Sequence, residues 1–148
     1  MKRNLLALIM VPVLLTGCTK VLTQEDRLVG AWQLLYAEKD GFFKTTTINT
    51  GYENGTFYFY DNGQAEYDDG FTLMRGNWEL RWVNDGYYDS YGNYQTGSHQ
   101  VFRLQLVNFQ ENRVLDWVFD DSGFRSRNQF GASYQSSAYT YRFVFGRL

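Results

Sequence analysis

The sequence predicts an all-β domain: an antiparallel up-and-down barrel of about eight strands, with a two-sheet β-sandwich as the alternative. Three observations carry this. The chain has 12 Phe, 12 Tyr and 4 Trp among 148 residues, and aromatic side chains favour the half-buried surface of a pleated sheet. Beyond residue 28, apolar residues recur with period two in short runs separated by turn-forming residues, the pattern of strands with one face inward. No segment there repeats at helical spacing, and the one proline is Pro12. An open sheet of this composition would leave its apolar face wet and its edges unpaired, and closure removes both problems.

In chain order, Met1-Lys2-Arg3 gives a charged start, Leu5 to Leu15 an apolar run, and Thr16-Gly17-Cys18 a small-residue boundary. A membrane-spanning helix needs about 20 apolar residues, so the run is too short to cross. The order of charge, apolar core and small residues is that of an export signal, assigned to residues 1–17. Leu15-Thr16-Gly17-Cys18 resembles the lipobox of bacterial lipoproteins. That resemblance implies a diacylglyceryl group on the Cys18 thiol, cleavage before Cys18, and acylation of the new amino terminus by a chain such as palmitate. Each buried lipid CH₂ contributes about 0.8 kcal/mol, so two or three chains anchor durably. With Thr19 rather than Asp after the cysteine, the resemblance further implies sorting to the outer membrane, hence a cell-envelope location. Cys18 is the only cysteine, so no disulfide is expected.

Residues 18–28 form the lipidated cysteine and a polar tether, with a helical turn capped by Thr23. The domain is assigned to residues 29–148. Its first strand places Trp32, Leu34 and Tyr36 on one face, and Phe42 to Asn49 is a weaker, threonine-rich run. Thr56 to Tyr60 meets Asp61-Asn62-Gly63, a tight-turn signal, and Gln64 to Asp68 meets a second at Asp69-Gly70. In the long run from Phe71 to Val83, Trp78, Leu80 and Trp82 share a face, whereas Phe71 and Leu73 have the other parity. A bulge at Gly76 would restore the phase. Phe102, Leu104 and Leu106 follow; a turn at Gln110-Glu111-Asn112 leads to Leu115, Trp117 and Phe119. Tyr139, Tyr141, Phe143 and Phe145 share a face in the last run.

Leu28-Val29-Gly30-Ala31-Trp32, Gly55 to Phe59 ahead of Asp61-Asn62-Gly63, and Gly76-Asn77-Trp78-Glu79-Leu80 together resemble lipocalin-like bacterial lipoproteins. The resemblance implies a barrel that binds a small apolar or amphipathic ligand. It also implies that Trp32 plugs one end of the barrel under an arginine from the last strand, Arg142 or Arg147.

Among candidate sites, the segment from Asn84 to Ser98 is rich in Tyr, Gly, Ser and Asn. Tyr87, Tyr88, Tyr91 and Tyr94 offer rigid flat contact area with polar tips, chemistry suited to a glycan or an envelope protein; a hairpin tip lying back on the domain is the alternative. Arg125 and Arg127, within Asp120 to Ser137, could meet an anionic head group at a barrel mouth or decorate a solvated edge strand. Trp78 and Trp117 would line an interior ligand site, unless bulk at Phe57, Phe59, Leu80, Phe102, Leu104 and Phe143 fills it.

His99 is the only histidine and reads as a loop-edge residue; nothing marks a nucleophile elbow for Ser90 or Ser98. Asp61, Glu66, Asp68, Asp69, Asp85 and Asp89 lack calcium-loop spacing and suit turns. No metal, cofactor or enzymatic activity is expected. The formal charge of −2, without a basic stripe, argues against nucleic acid. The expected function is therefore ligand binding by a lipid-anchored lipocalin-like protein, or alternatively envelope interaction through the tyrosine-rich segment.

Overall fold

The structure, a computed structural model, describes residues 22–148; the signal, Cys18 and the first part of the tether lie outside the described residues. A short helix, α1 (Gln24–Leu28), precedes ten strands: β1 (Gly30–Asp40), β2 (Thr45–Ile48), β3 (Thr56–Phe59), β4 (Gln64–Asp68), β5 (Leu73–Tyr88), β6 (Tyr94–Asn108), β7 (Arg113–Phe119), β8 (Asp121–Ser126), β9 (Gln129–Ser136) and β10 (Tyr139–Arg147).

Thr23 caps α1 as expected. Its hydroxyl accepts from the Asp26 amide at 3.1 Å, and the Asp26 carboxylate accepts from the Thr23 amide at 2.9 Å, a reciprocal capping box. Leu28 is buried and its carbonyl accepts from Trp32 Nε1 at 2.7 Å. The end of the stretch read as tether is thus packed on the domain.

All pairing is antiparallel, in the order β7-β6-β5-β4-β3-β1-β10-β9-β8, with β2 added to β1. Among the described residues the ladder is not closed, which corrects the eight-stranded barrel: ten strands are present there, and the hydrogen-bonded path runs from β7 to β8. The arrangement fits the sandwich alternative better. The physical reason lies at Asp120. This single residue joins β7 to β8, so one nearly continuous stretch of chain pairs first with β6 and then with β9. Such a strand-switching bend makes a corner between layers. It brings the two ends of the path together, β6 against β8 and β7 against β9. Ser122 Oγ donates to the Gln100 carbonyl across this seam at 2.8 Å.

The turns match their sequence signals: Gly63, Gly70 and Asn112 have φ of 80°, 84° and 52°. Inside, Phe57, Phe59, Trp78, Leu80, Phe102, Leu104 and Phe143 are buried as expected. Their rings and those of neighbours form one continuous chain. Tyr52 meets Trp117 at 5.5 Å, Trp117 meets Phe143 at 5.1 Å, and Phe143 meets Phe119 at 5.0 Å. Phe119 stacks on Phe102 at 5.8 Å, Phe102 meets Phe130 at 5.3 Å, and Phe124 links Phe130 to Trp32. Most of these are the tilted or edge-on arrangements that aromatic quadrupoles favour.

Two register expectations and one burial expectation change. In β1 a bulge between Leu34 and Tyr36 shifts the phase, so Ala37 is buried and Tyr36 is not. In β5 the inward face runs Met74, Gly76, Trp78, Leu80 without a bulge, leaving Phe71 and Leu73 exposed. Gly76 is required for another reason: a Cβ there would lie 1.9 Å from the Gln105 carbonyl oxygen. Trp82 keeps the parity of Leu80 but is 61 % exposed, because the hairpin has left the core by that point.

Gly76→Ala is expected to destabilise the fold by about 1–3 kcal/mol through overpacking against backbone, read from denaturant midpoints. Gly123→Ala, where a Cβ meets nothing within 4 Å, serves as the near-neutral control. Tyr67 is fully buried, and burial pushes its phenol up to about 12 from 10.0. A raised pKa stabilises the fold fully below pH 10 and loses that contribution as pH rises toward 12. Tyr67→Phe should therefore shift the alkaline unfolding midpoint, followed by circular dichroism, to higher pH.

Candidate functional site

The stretch Asn84 to Ser98 is not a loop. β5 and β6 continue through it as a paired arm, in register from Val83–His99 to Tyr88–Tyr94, and only residues 89–93 turn. Tyrosine and threonine side chains favour extended backbone, and Gly86 leaves room for Tyr94, whose hydroxyl would lie 1.9 Å from a Cβ at that position. Asp89 organises the tip. Its Oδ1 accepts from the amides of Tyr91 and Asn93, each at 2.9 Å, and Oδ2 accepts from Gln95 Nε2 at 3.1 Å. Burial opposes ionisation here, but these donors outweigh it and hold the carboxyl below its usual range.

The tip is tied to the body by two residues that the sequence did not single out for this role. The Ser90 amide donates to Asp121 Oδ2 at 3.1 Å, and the Ser90 carbonyl accepts from Arg142 Nε. Arg142 also bonds Asp40 and lies 3.7 Å from Glu38. The hydrogen bond from Thr45, with the adjacent Arg142 charge, keeps Asp40 below its usual carboxylate range despite some desolvation. Asp121 is displaced the other way: burial raises it, aided by Asp89 and opposed by the Ser90 amide.

Arg142 is thus a brace for the hairpin, which corrects its assignment over Trp32. That position belongs to Arg147, whose guanidinium lies 4.5 Å from the Trp32 ring centroid and donates to the carbonyls of Val29 and Arg27. The strand parity decides the outcome, because Arg147 pairs directly with Trp32 in the ladder whereas Arg142 pairs with Glu38.

Of the four tyrosines, Tyr91, Tyr94 and Tyr88 are 80 %, 62 % and 41 % exposed, and the last two meet edge to face at 5.3 Å. Tyr87 instead stacks on His99 at 4.0 Å. His99 is buried, not at a loop edge; its Nε2 lies 3.5 Å from Asp85. Trp117 and Trp78 are packed among core rings, and Trp78 Nε1 donates to the Tyr60 carbonyl at 2.9 Å. Both are fillers rather than walls of a cavity.

Arg125 and Arg127 separate. A register shift between Phe124 and Ser126 in edge strand β8 sends Arg127 to a cleft beside α1 with Arg147. Arg125 turns toward the hairpin tip, where it donates to the Tyr36 hydroxyl at 3.3 Å. There it joins Ser90, Asp121, Ser122 and Ser133 around a polar cleft of about 180 Å³. A wider groove of about 400 Å³ adjoins it and includes Tyr91 and Arg142. The usable signal in the sequence was the pair of glycines, Gly123 and Gly131, that floor the cleft. The fold-back of the hairpin over β8 is long-range and had no local signature.

Asp68 and Asp69 accept turn amides, as turn chemistry suggests, whereas Glu66 pairs across the β4–β5 ladder with Arg75 at 2.9 Å. Among the described residues, no three His, Cys, Asp or Glu side chains are placed to hold a metal ion, and no helix is long and apolar enough to cross a membrane. Comparisons with protein-family models, curated proteins and solved structures give no match for the chain.

Charged hydrogen bonds contribute about 1.5–3 kcal/mol each. Arg142→Met should therefore release the tip, raising amide exchange across residues 87–95 at least about tenfold while Phe102 to Val107 stay protected. Hydrogen-exchange mass spectrometry distinguishes this local release from global destabilisation.

Proposed function

We propose that the protein is a lipid-anchored binding module of the cell envelope that recognises a glycan through the tip of the β5–β6 hairpin and the cleft beneath it. The lipobox resemblance at Leu15 to Cys18 supports the anchor, and Thr19 supports an outer-membrane destination where the cell has two membranes. Of the two expected functions, the filled interior favours surface recognition over a small apolar ligand held inside. Continuous ring contacts from Tyr52 to Trp32 occupy the space such a ligand would need, whereas ligand pockets usually hold roughly 300–1,000 Å³ of concave, apolar space.

The observation that carries this reading is the exposure of Tyr88, Tyr91 and Tyr94 on a braced tip. Rigid aromatic faces on a preformed support lose little entropy on binding. The polar groups below them favour a glycan over a protein partner, because a small cleft can admit one hydroxylated ring.

Cys18→Ser is expected to abolish acyl mass and move the protein from the detergent phase to the aqueous phase; retention in detergent contradicts the anchor. Full-length protein in detergent micelles should bind purified envelope polysaccharide immobilised on a sensor. Joint Tyr88→Ser, Tyr91→Ser and Tyr94→Ser substitution should weaken it about tenfold or more. Unchanged binding in that variant, or an apolar small molecule retained by the native protein in mass spectrometry, contradicts the surface-recognition reading.

A further inference from the structure

The cleft beneath the hairpin tip has a chemistry of its own. Ser133 is 1 % exposed, lines the cleft, and its Oγ has no hydrogen-bond partner. Buried hydroxyls are almost always paired, so an unpaired one at the cleft wall is a point where a polar ligand would be held. Ser122 pairs with Ala132 and turns its hydroxyl to the seam, where it donates to the Gln100 carbonyl, so Asp121 and Ser133, paired on the other face, are the side chains that the cleft presents. Asp121 accepts from the Ser90 amide through Oδ2, and a carboxylate has further lone pairs to offer. A carboxylate that accepts beside a serine hydroxyl that both donates and accepts suits a ligand bearing hydroxyls.

The cation beside them differs from its neighbour. Arg142 is balanced by Asp40 and Glu38. Arg125 has no carboxylate partner among the described residues; its single hydrogen bond goes to the neutral Tyr36 hydroxyl. Its stem lies on Gly131, where a Cβ would come within 2.5 Å of Nε, so the guanidinium is held at the cleft mouth. A planar, forked donor with spare charge matches a carboxylate. Gly123, where a Cβ would meet nothing within 4 Å, lets a ligand approach the backbone closely, and Tyr91 stands at the adjoining groove.

We propose that this cleft binds an acidic sugar residue, a ring bearing hydroxyls and one carboxylate, with the carboxylate on Arg125 and the hydroxyls on Asp121 and Ser133. This rests on the glycan reading above and names its recognised unit. The volume of about 180 Å³ suits one ring, so a polymer would place a single residue in the cleft and lay the next toward Tyr91.

Calorimetry on the full chain in micelles, with D-glucuronate, D-glucose and a glucuronate-containing oligosaccharide as probes, tests it. Glucuronate should bind about tenfold or more tightly than glucose. Arg125→Gln should reduce that preference to within about twofold, and Ser133→Ala should weaken glucuronate about fivefold without altering the preference. Near-UV circular dichroism checks that each variant is folded, and Arg125 is exposed enough to be replaced safely. If the free acid and the oligosaccharide bind equally and Tyr91→Ser has no effect, the ligand is a free sugar acid. If the oligosaccharide binds more tightly and depends on Tyr91, the source is a polysaccharide. Equal affinity for glucose and glucuronate, no binding of either acid, or a preference that survives Arg125→Gln overturns the inference. Polysaccharide binding that still depends on the tip tyrosines would show that the glycan reading stands without it.

Discussion

Asp120 is one residue long as a connection, and it must carry the chain from one end of the hydrogen-bonded sheet to the other. Two strands joined so tightly cannot lie far apart, so β6 meets β8 and β7 meets β9 although no ladder joins the ends of the path. The covalent chain does what hydrogen bonds would do in a closed barrel. The inward faces then enclose one aromatic core, and the seam between β6 and β8 leaves Ser122 and Asp121 where the hairpin tip comes to rest. Burial at that seam raises both Asp120 and Asp121 above the usual carboxylate range.

The same seam favours the surface as the place for the proposed recognition. Large rings pack across the enclosed space, Phe119 between Phe102 and Phe143, and Phe57 against Phe145, as tightly filled interiors do. The polar groups that this packing expels collect at the rim. There the β5–β6 arm, long enough to leave the core after Leu80, folds over them and is pinned through Ser90. A scaffold with a solid centre and a braced arm separates what holds the fold together from the surface proposed for binding.

Much of the fold was legible because it is written locally. Period-two runs located the inward residues of β3, β6 and β7, and Asn62-Gly63 and Asp69-Gly70 marked their turns. What failed was what depends on distant partners. The bulge at Leu35 follows from pairing with β10, and the role of Gly76 follows from a carbonyl on β6. Neither partner is near in sequence. The choice of Arg147 over Arg142 was a matter of register, not composition. At the candidate site, the tyrosines and Arg125 were visible as residue types, whereas Ser133 looked like an ordinary strand serine until the fold buried it.

The attachment of α1 has a mechanical meaning. The chain enters the domain through Leu28 and Trp32 and runs straight into β1, which lies inside the sheet between β3 and β10. A pull on the chain ahead of Leu22 is therefore directed along a central strand. It loads the rungs on both sides together, in shear, instead of unzipping them one at a time from an edge. Tension on that leading segment is spread over the ladder before any single bond gives way.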